Sequence, residues 1–301
     1  MPSRYRLKRF LERQKYRYRY LPMYVKYRSW SLFSREERRR FETLARSTEN
    51  FQHTRLLAVG NEGLIYDGRY EPDPENRYLL KVSLNKNNRA AAFHAVLESV
   101  KDKGFDWLYR IVEYDVDEDG DYWRQVQEFV EGTLISRYIL LSTSTQRELA
   151  DPARLCRDLV EQNRLLHELR ILAPNVDEEN LILSPEGVLR RIDLDPYRVV
   201  PESAGEMPRY DNHRLFRVIR KILHPHIEYY RGCVESRPDG LAPEAFEDFL
   251  RRLANSAVCT YGDPRKRRQG KEVAFDKADC FTDLETPHEI LSRLVETRCA
   301  E

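Results

Sequence analysis

Leu166-His167-Glu168-Leu169-Arg170-Ile171-Leu172-Ala173-Pro174-Asn175-Val176-Asp177-Glu178-Glu179-Asn180-Leu181-Ile182-Leu183, followed by Arg191-Ile192-Asp193-Leu194-Asp195, decides how this chain is read. The apolar run Leu181-Ile182-Leu183 leaves an asparagine at its leading edge, and Arg191-Ile192 delivers an aspartate just past the end of a second short strand. Asn180 and Asp193 both offer oxygen ligands. Such ligands suit a hard cation such as Mg²⁺, which takes one or two protein oxygens together with nucleotide phosphates. Asp177, Glu178 and Glu179 read either as a displaced base or extra metal ligand, or as an acidic loop facing solvent.

Working upstream, Gln127-Glu128-Phe129-Val130-Glu131-Gly132 reads as an extended strand that ends in a glycine turn. Lys81 stands inside the apolar strand Tyr78-Leu79-Leu80-Lys81-Val82, where an ammonium needs a partner or a ligand, because burying it alone is costly. Glu98, seventeen residues on in a helix-like segment, is one candidate for that partner, and Glu113 is another. Gly60-Asn61-Glu62-Gly63-Leu64-Ile65-Tyr66 lies between two predicted strands. It reads as a hairpin turn or as a loop whose exposed N–H groups hold a phosphate.

The periodicities divide the chain. From about residue 52, HTRLLAVG, GLIYDGRY, RYLLKVS, YRIVEYDV and DYWRQVQEFV read as short strands separated by turn signals such as EPDPEN and DEDGD. After residue 150 the pattern is helical. Leu155, Leu159 and Leu166 form one stripe, and Leu215, Val218, Ile219 and Ile222 another; Phe246, Phe249, Leu250 and Leu253 repeat the spacing. Helix starts are expected at Ser34 with Glu37 as capping-box partner, at Pro243, and at Thr286-Pro287-His288-Glu289. An α+β plan follows, with a β-rich first lobe and an α-rich second lobe.

In this order, glycine loop, strand lysine, helix glutamate, E-F-V-E-G, L-H-x-x-x-I…N-L-I-L and I-D-x-D, the chain resembles the protein-kinase-like fold over roughly residues 52–225. It is most similar to small atypical bacterial members such as the lipopolysaccharide core (heptose and Kdo) kinases. The resemblance implies an N-lobe at 49–128 and a C-lobe at 129–301, preceded by the segment 1–48, which its charge sets apart as a basic arm. It implies ATP and Mg²⁺ as cofactors and transfer of a phosphoryl group to a sugar or protein hydroxyl. Gly60, Glu62 and Gly63 would cover the phosphates, Lys81 would contact them with Glu98 holding it, and adenine would lie against the backbone from Glu128 to Val130. Asn180 and Asp193 would ligate the metal. One departure is plain: the position of the usual catalytic aspartate holds Asn175, an amide that accepts no proton near neutral pH, and Asp177 stands where many kinases place a lysine. The alternative implied is a pseudokinase that binds nucleotide or a partner without catalysis.

Composition bounds the setting. The 301 residues are 34% charged and 41% hydrophobic, too apolar for a disordered chain, and no stretch approaches the roughly 18 apolar residues of a spanning helix. Five widely spaced cysteines without a C-x-x-C pair lead to the expectation of free thiols, a reducing compartment and a cytoplasmic location, peripheral to the inner face of a membrane if the arm binds there. The net charge of +1 conceals an asymmetry: residues 1–48 hold 15 basic and 4 acidic side chains, the remainder 36 and 46. The arm interleaves six tyrosines with its arginines and lysines, which fits an anionic membrane surface or a phosphate-rich partner, or docking on the protein's own acidic body. The run Arg265-Lys266-Arg267-Arg268, with Lys271, reads as an exposed loop that would add to the same basic face.

Overall fold

The computed structural model describes residues 34–59, 63–85, 88–141, 151–174, 176–194, 197–204, 212–237, 239–259 and 264–297. The chain is α+β and divides into two compact units. One comprises Met1–Ala90 and Arg110–Phe129, the other Ala91–Tyr109 and Val130–Glu301. The passage between them at Phe129/Val130 falls one residue from the expected lobe boundary. Residues 91–109, expected in the β-rich lobe, group with the helical unit, where the Arg191 N–H donates to the Trp107 carbonyl at 2.7 Å.

The first unit is built on a five-stranded antiparallel sheet of β1 (Phe51–Val59), β2 (Gly63–Tyr70), β3 (Asp73–Leu84), β4 (Ile111–Val116) and β5 (Tyr122–Glu128), in the order β1-β2-β3-β5-β4. The five strands fall on the five stretches read as strands, with one correction: β3 begins at Asp73, inside the EPDPEN stretch read as a turn, because the chain reverses tightly after Tyr70 and Asp73 already pairs with it. One face carries Leu64, Tyr66, Tyr78, Leu80, Val82, Tyr122 and Val126, and helix α1 (Arg35–Arg46) lays Phe41 and Ala45 on it. Phe41 meets Tyr122 edge to face at 5.3 Å. The capping box between Ser34 and Glu37 forms as expected. Arg40 pairs with Asp117 at 2.9 Å and with Asp119, so this end of the basic segment is paired with acidic groups of its own unit. Residues 1–33 lie outside the described residues.

Helix α2 (Arg89–Val100) follows β3 in the chain, between it and β4. The second unit continues with β6 (Thr133–Leu134), α3 (Ile135–Leu141), α4 (Pro152–Glu168), β7 (Ile171–Leu172), β8 (Leu181–Leu183), β9 (Leu189–Arg191), β10 (Arg198–Val199), α5 (Asn212–Leu223), α6 (Ile227–Ser236), α7 (Pro243–Ser256), α8 (Pro264–Arg268) and α9 (Glu285–Glu296). Asp151 caps α4: its carboxylate accepts the Ala153 N–H at 3.0 Å and the Tyr230 hydroxyl at 2.6 Å. The leucine stripe of α4 is fully buried, as are Leu215, Val218, Ile219 and Ile222 of α5. Pro243 occupies the first turn of α7, whose Phe249 stacks toward Phe281 at 5.6 Å. Two small antiparallel sheets, β6-β8-β9 and β7-β10, fill the remainder.

Two expectations are corrected. Helix α9 begins at Glu285 rather than after Thr286: Leu284 stands at its N-cap without a side-chain bond, and the Asp283 carboxylate just outside the helix accepts the Thr286 N–H at 2.7 Å, so Thr286 lies inside the first turn. Cys233 is disulfide-bonded, against the expectation of free thiols, whereas Cys156, Cys259 and Cys280 are free and Cys299 lies outside the described residues. No helix among the described residues is long and apolar enough to cross a membrane.

Candidate functional site

In the helical unit, β8 and β9 pair antiparallel with Leu181 opposite Arg191, so the residues just beyond the paired ends are Asn180 on one side and Ile192 and Asp193 on the other. The Ile192 N–H donates to the Asn180 carbonyl at 3.0 Å, and the Asn180 N–H to the Asp177 carbonyl at 2.9 Å. The two proposed metal ligands therefore leave neighbouring strands side by side. Asp193 has φ +73°, a left-handed backbone that costs a non-glycine residue energy and is retained where the surroundings impose it, often at functional sites.

The strand that carries Asp193 is anchored from behind by a residue that the sequence reading passes over. Arg191 is 1% exposed. Its guanidinium donates to Gln162 Oε1 (2.9 Å), Tyr197 OH (3.1 Å), Asn163 Oδ1 (2.5 Å) and the Leu159 carbonyl (3.3 Å). Trp107 lies under it at 5.7 Å. This buried cation is held by neutral acceptors on α4 and on the residue that follows the Asp193 turn. The signal in the sequence is a charge at an inward position: Leu189 and Arg191 alternate with Arg190, and both are buried.

Asp177 and Glu178 form a carboxyl pair facing α5. Glu178 is paired with Lys221, and Asp177 Oδ2 lies 3.4 Å from Arg217. Burial raises the Asp177 carboxyl, as do the hydrogen bond to Glu178 and its negative charge. Burial also opposes the charge of Glu178, but hydrogen bonds from Asp177 and Lys221 outweigh it and leave Glu178 below the usual carboxylate range. Glu178 Oε2 has no donor among the described residues unless Asp177 is protonated, which gives that proton a natural place. Asn175 lies outside the described residues.

In the β-rich unit, Lys81 on β3 stands opposite Ile65 of β2 and Gln125 of β5. Gln125 is 1% exposed; its amide nitrogen donates to Gln127 Oε1 at 2.6 Å, while its own Oε1 has no donor among the described residues. Glu113, the alternative partner for Lys81, is excluded by strand parity. It pairs with Val126, one residue along β5 from Gln125, and so belongs to the opposite face. Glu98 on α2 is half exposed and forms an ion pair with Lys101 in its own helix. That pair occupies the carboxylate assigned from the sequence to Lys81.

Gly63 opens β2 where no side chain fits: a Cβ there would lie 2.1 Å from the Val82 carbonyl oxygen. Gly60 and Glu62 lie outside the described residues. At the end of β5, the Glu128 N–H donates to the Arg110 carbonyl and the Phe129 N–H to the Arg77 carbonyl, both at 2.9 Å. The Arg77 guanidinium stacks on the Phe129 ring at 3.7 Å and also binds Asp67. Val130 is buried, and its N–H has no partner among the described residues. Of the three backbone donors assigned to adenine, only that of Val130 is available. Beyond this geometry, the chain matches no family model and no curated protein.

Proposed function

We propose that the protein is an ATP- and Mg²⁺-dependent phosphotransferase of the protein-kinase-like fold, acting on a sugar or protein hydroxyl. The observation that carries this reading is the delivery of Asn180 and Asp193 from adjoining strand ends, with Asp193 held in a left-handed backbone and its strand fixed by buried Arg191. Further support is the order of parts along the chain: a glycine between β1 and β2, Lys81 on β3, a helix before β4, and a strand end at Glu128. A second observation supports the reading: Gln125 Oε1 is a buried acceptor with no donor among the described residues.

In this reading Lys81 neutralises phosphate charge, Val130 orients the base, and Asn180 and Asp193 hold Mg²⁺, which supplies charge stabilisation to the transferred phosphoryl group. Proton removal from the acceptor contributes less than in kinases with the usual aspartate, because Asn175 accepts no proton and Asp177 is turned toward Arg217. Phosphoryl transfer tolerates this, since positioning and electrostatics supply most of the rate enhancement.

The test is transfer of label from γ-labelled ATP to a panel of sugar and protein acceptors. Transfer by wild type that disappears in Asp193→Ala supports the enzyme. Nucleotide binding without transfer supports the second reading, a pseudokinase, which the engagement of Asp177 by α5 favours.

A further inference from the structure

We infer that residues 266–275 form a docking edge for an anionic lipid bilayer. Helix α8 ends at Arg268 and is followed by a turn at Gly270, whose φ is +62°; the Gly270 N–H reaches the Arg267 carbonyl (3.1 Å) and the Lys271 N–H that of Lys266 (2.9 Å). This turn places Lys266, Arg267, Arg268 and Lys271 within six residues, against one acid, Glu272, in the whole of 266–275, on a body whose residues 49–301 carry 36 basic and 46 acidic side chains. Immediately after it, Val273 and Phe275 stand 42% and 40% exposed, and Val258, at the end of α7, stands 46% exposed. Tyr229 is the one other large hydrophobic exposed among the described residues. Single exposed apolar side chains need no explanation; Val273 and Phe275, directly following one cationic turn, match the composition of a surface that lies in a membrane interface.

The turn rises from a packed stem. Asn255 donates to the Asp279 carbonyl and Arg252 to the Cys280 carbonyl, each at 3.1 Å, and the Phe281 N–H donates to Ser256 Oγ at 2.8 Å. The cations suit lipid headgroup phosphates and carboxylates, and the apolar side chains suit the boundary between headgroups and acyl chains. A single-stranded nucleic acid would also attract the cations, but it gains its affinity by stacking bases on aromatic rings, and two of the three exposed side chains are valines.

The experiment is sedimentation of the full chain with vesicles of phosphatidylcholine alone and of phosphatidylcholine with phosphatidylserine. Binding is expected on the anionic vesicles only. Arg267→Glu with Arg268→Glu should weaken it about 25-fold or more, at roughly fivefold for each basic residue lost. Val273→Ser with Phe275→Ser should weaken it by about tenfold at unchanged charge, while Phe275→Leu retains it. In a Phe275→Trp variant, emission should shift to the blue on anionic vesicles and be quenched by brominated lipid, and this readout decides the matter if a double variant fails to fold. Unchanged binding in both double variants, or a Phe275→Trp emission indifferent to anionic vesicles, overturns the inference. So does loss on charge reversal alone, matched by an equal loss of RNA binding, which would make the turn a nucleic-acid surface.

Discussion

The Asn180 carbonyl accepts the Ile192 N–H at 3.0 Å, and this bond fixes the register in which the two oxygen ligands proposed for the metal leave their strands. Both belong to one packed unit, so their spacing is set by β8 and β9 and by what anchors those strands. The chief anchor is Arg191.

Arg191→Ala should therefore be among the most damaging substitutions in the helical unit. It leaves Gln162 Oε1 and Asn163 Oδ1 buried without the donor that now satisfies them, at about 1–3 kcal/mol for each. A loss of about 3 kcal/mol or more is expected in urea unfolding. Arg191→Lys should recover little of it, because a point ammonium cannot reproduce the planar fork.

Gly63→Ala should destabilise the β-rich unit by about 1–3 kcal/mol, the usual range for forcing an extra group into a packed site. The added Cβ meets a backbone carbonyl at 2.1 Å, so relief requires β2 to move away from β3. Hydrogen exchange should report it as faster opening of the β2–β3 ladder.

Asp67 joins three strands: Arg77 binds both of its oxygens (2.8 and 2.7 Å), and Arg55 reaches it at 3.0 Å. The hydrogen bonds from Arg77 hold its carboxyl below the usual range, against burial, which acts the other way. A lowered value means that the stabilisation is present above the ordinary carboxylate range and is lost as pH falls through the lowered one. Asp67→Asn should thus be less stable than wild type at neutral pH, and the difference should shrink in acid. A Tm difference that stays constant with pH would count against this.

Asp177 has the opposite sign. A raised carboxyl favours folding where it is protonated, and the benefit disappears as pH rises through the raised value. Asp177→Asn should match wild type in acid and exceed its Tm near neutrality. If Asp177 nevertheless serves as the base, the same variant should lose about 10²-fold or more in turnover, the range expected for a general base.

The five strands are legible in the sequence because a half-buried antiparallel sheet writes its register as alternation, and Lys81 interrupts that alternation at a polar position. The helix of Ser34 is legible through its capping box, and Asn180 and Asp193 through the apolar strands that carry them. What the sequence hides depends on long-range contact. Nothing local shows that Arg191 is enclosed, since its acceptors on α4 lie about thirty residues away in the chain. Glu98 looks like a partner for a strand lysine until α2 forms and brings Lys101 one turn from it. The disulfide at Cys233 is likewise invisible to spacing, because no short motif links it to another cysteine.

Calorimetric titration of the full chain with ATP in the presence of Mg²⁺, repeated with Lys81→Ala and Asp193→Ala, tests the nucleotide reading most directly. Saturable binding by wild type is expected, weakened at least about tenfold in Lys81→Ala, with Asp193→Ala abolishing its dependence on Mg²⁺. No heat at millimolar Mg-ATP with a correctly folded wild type, or binding undiminished in both variants, would contradict it.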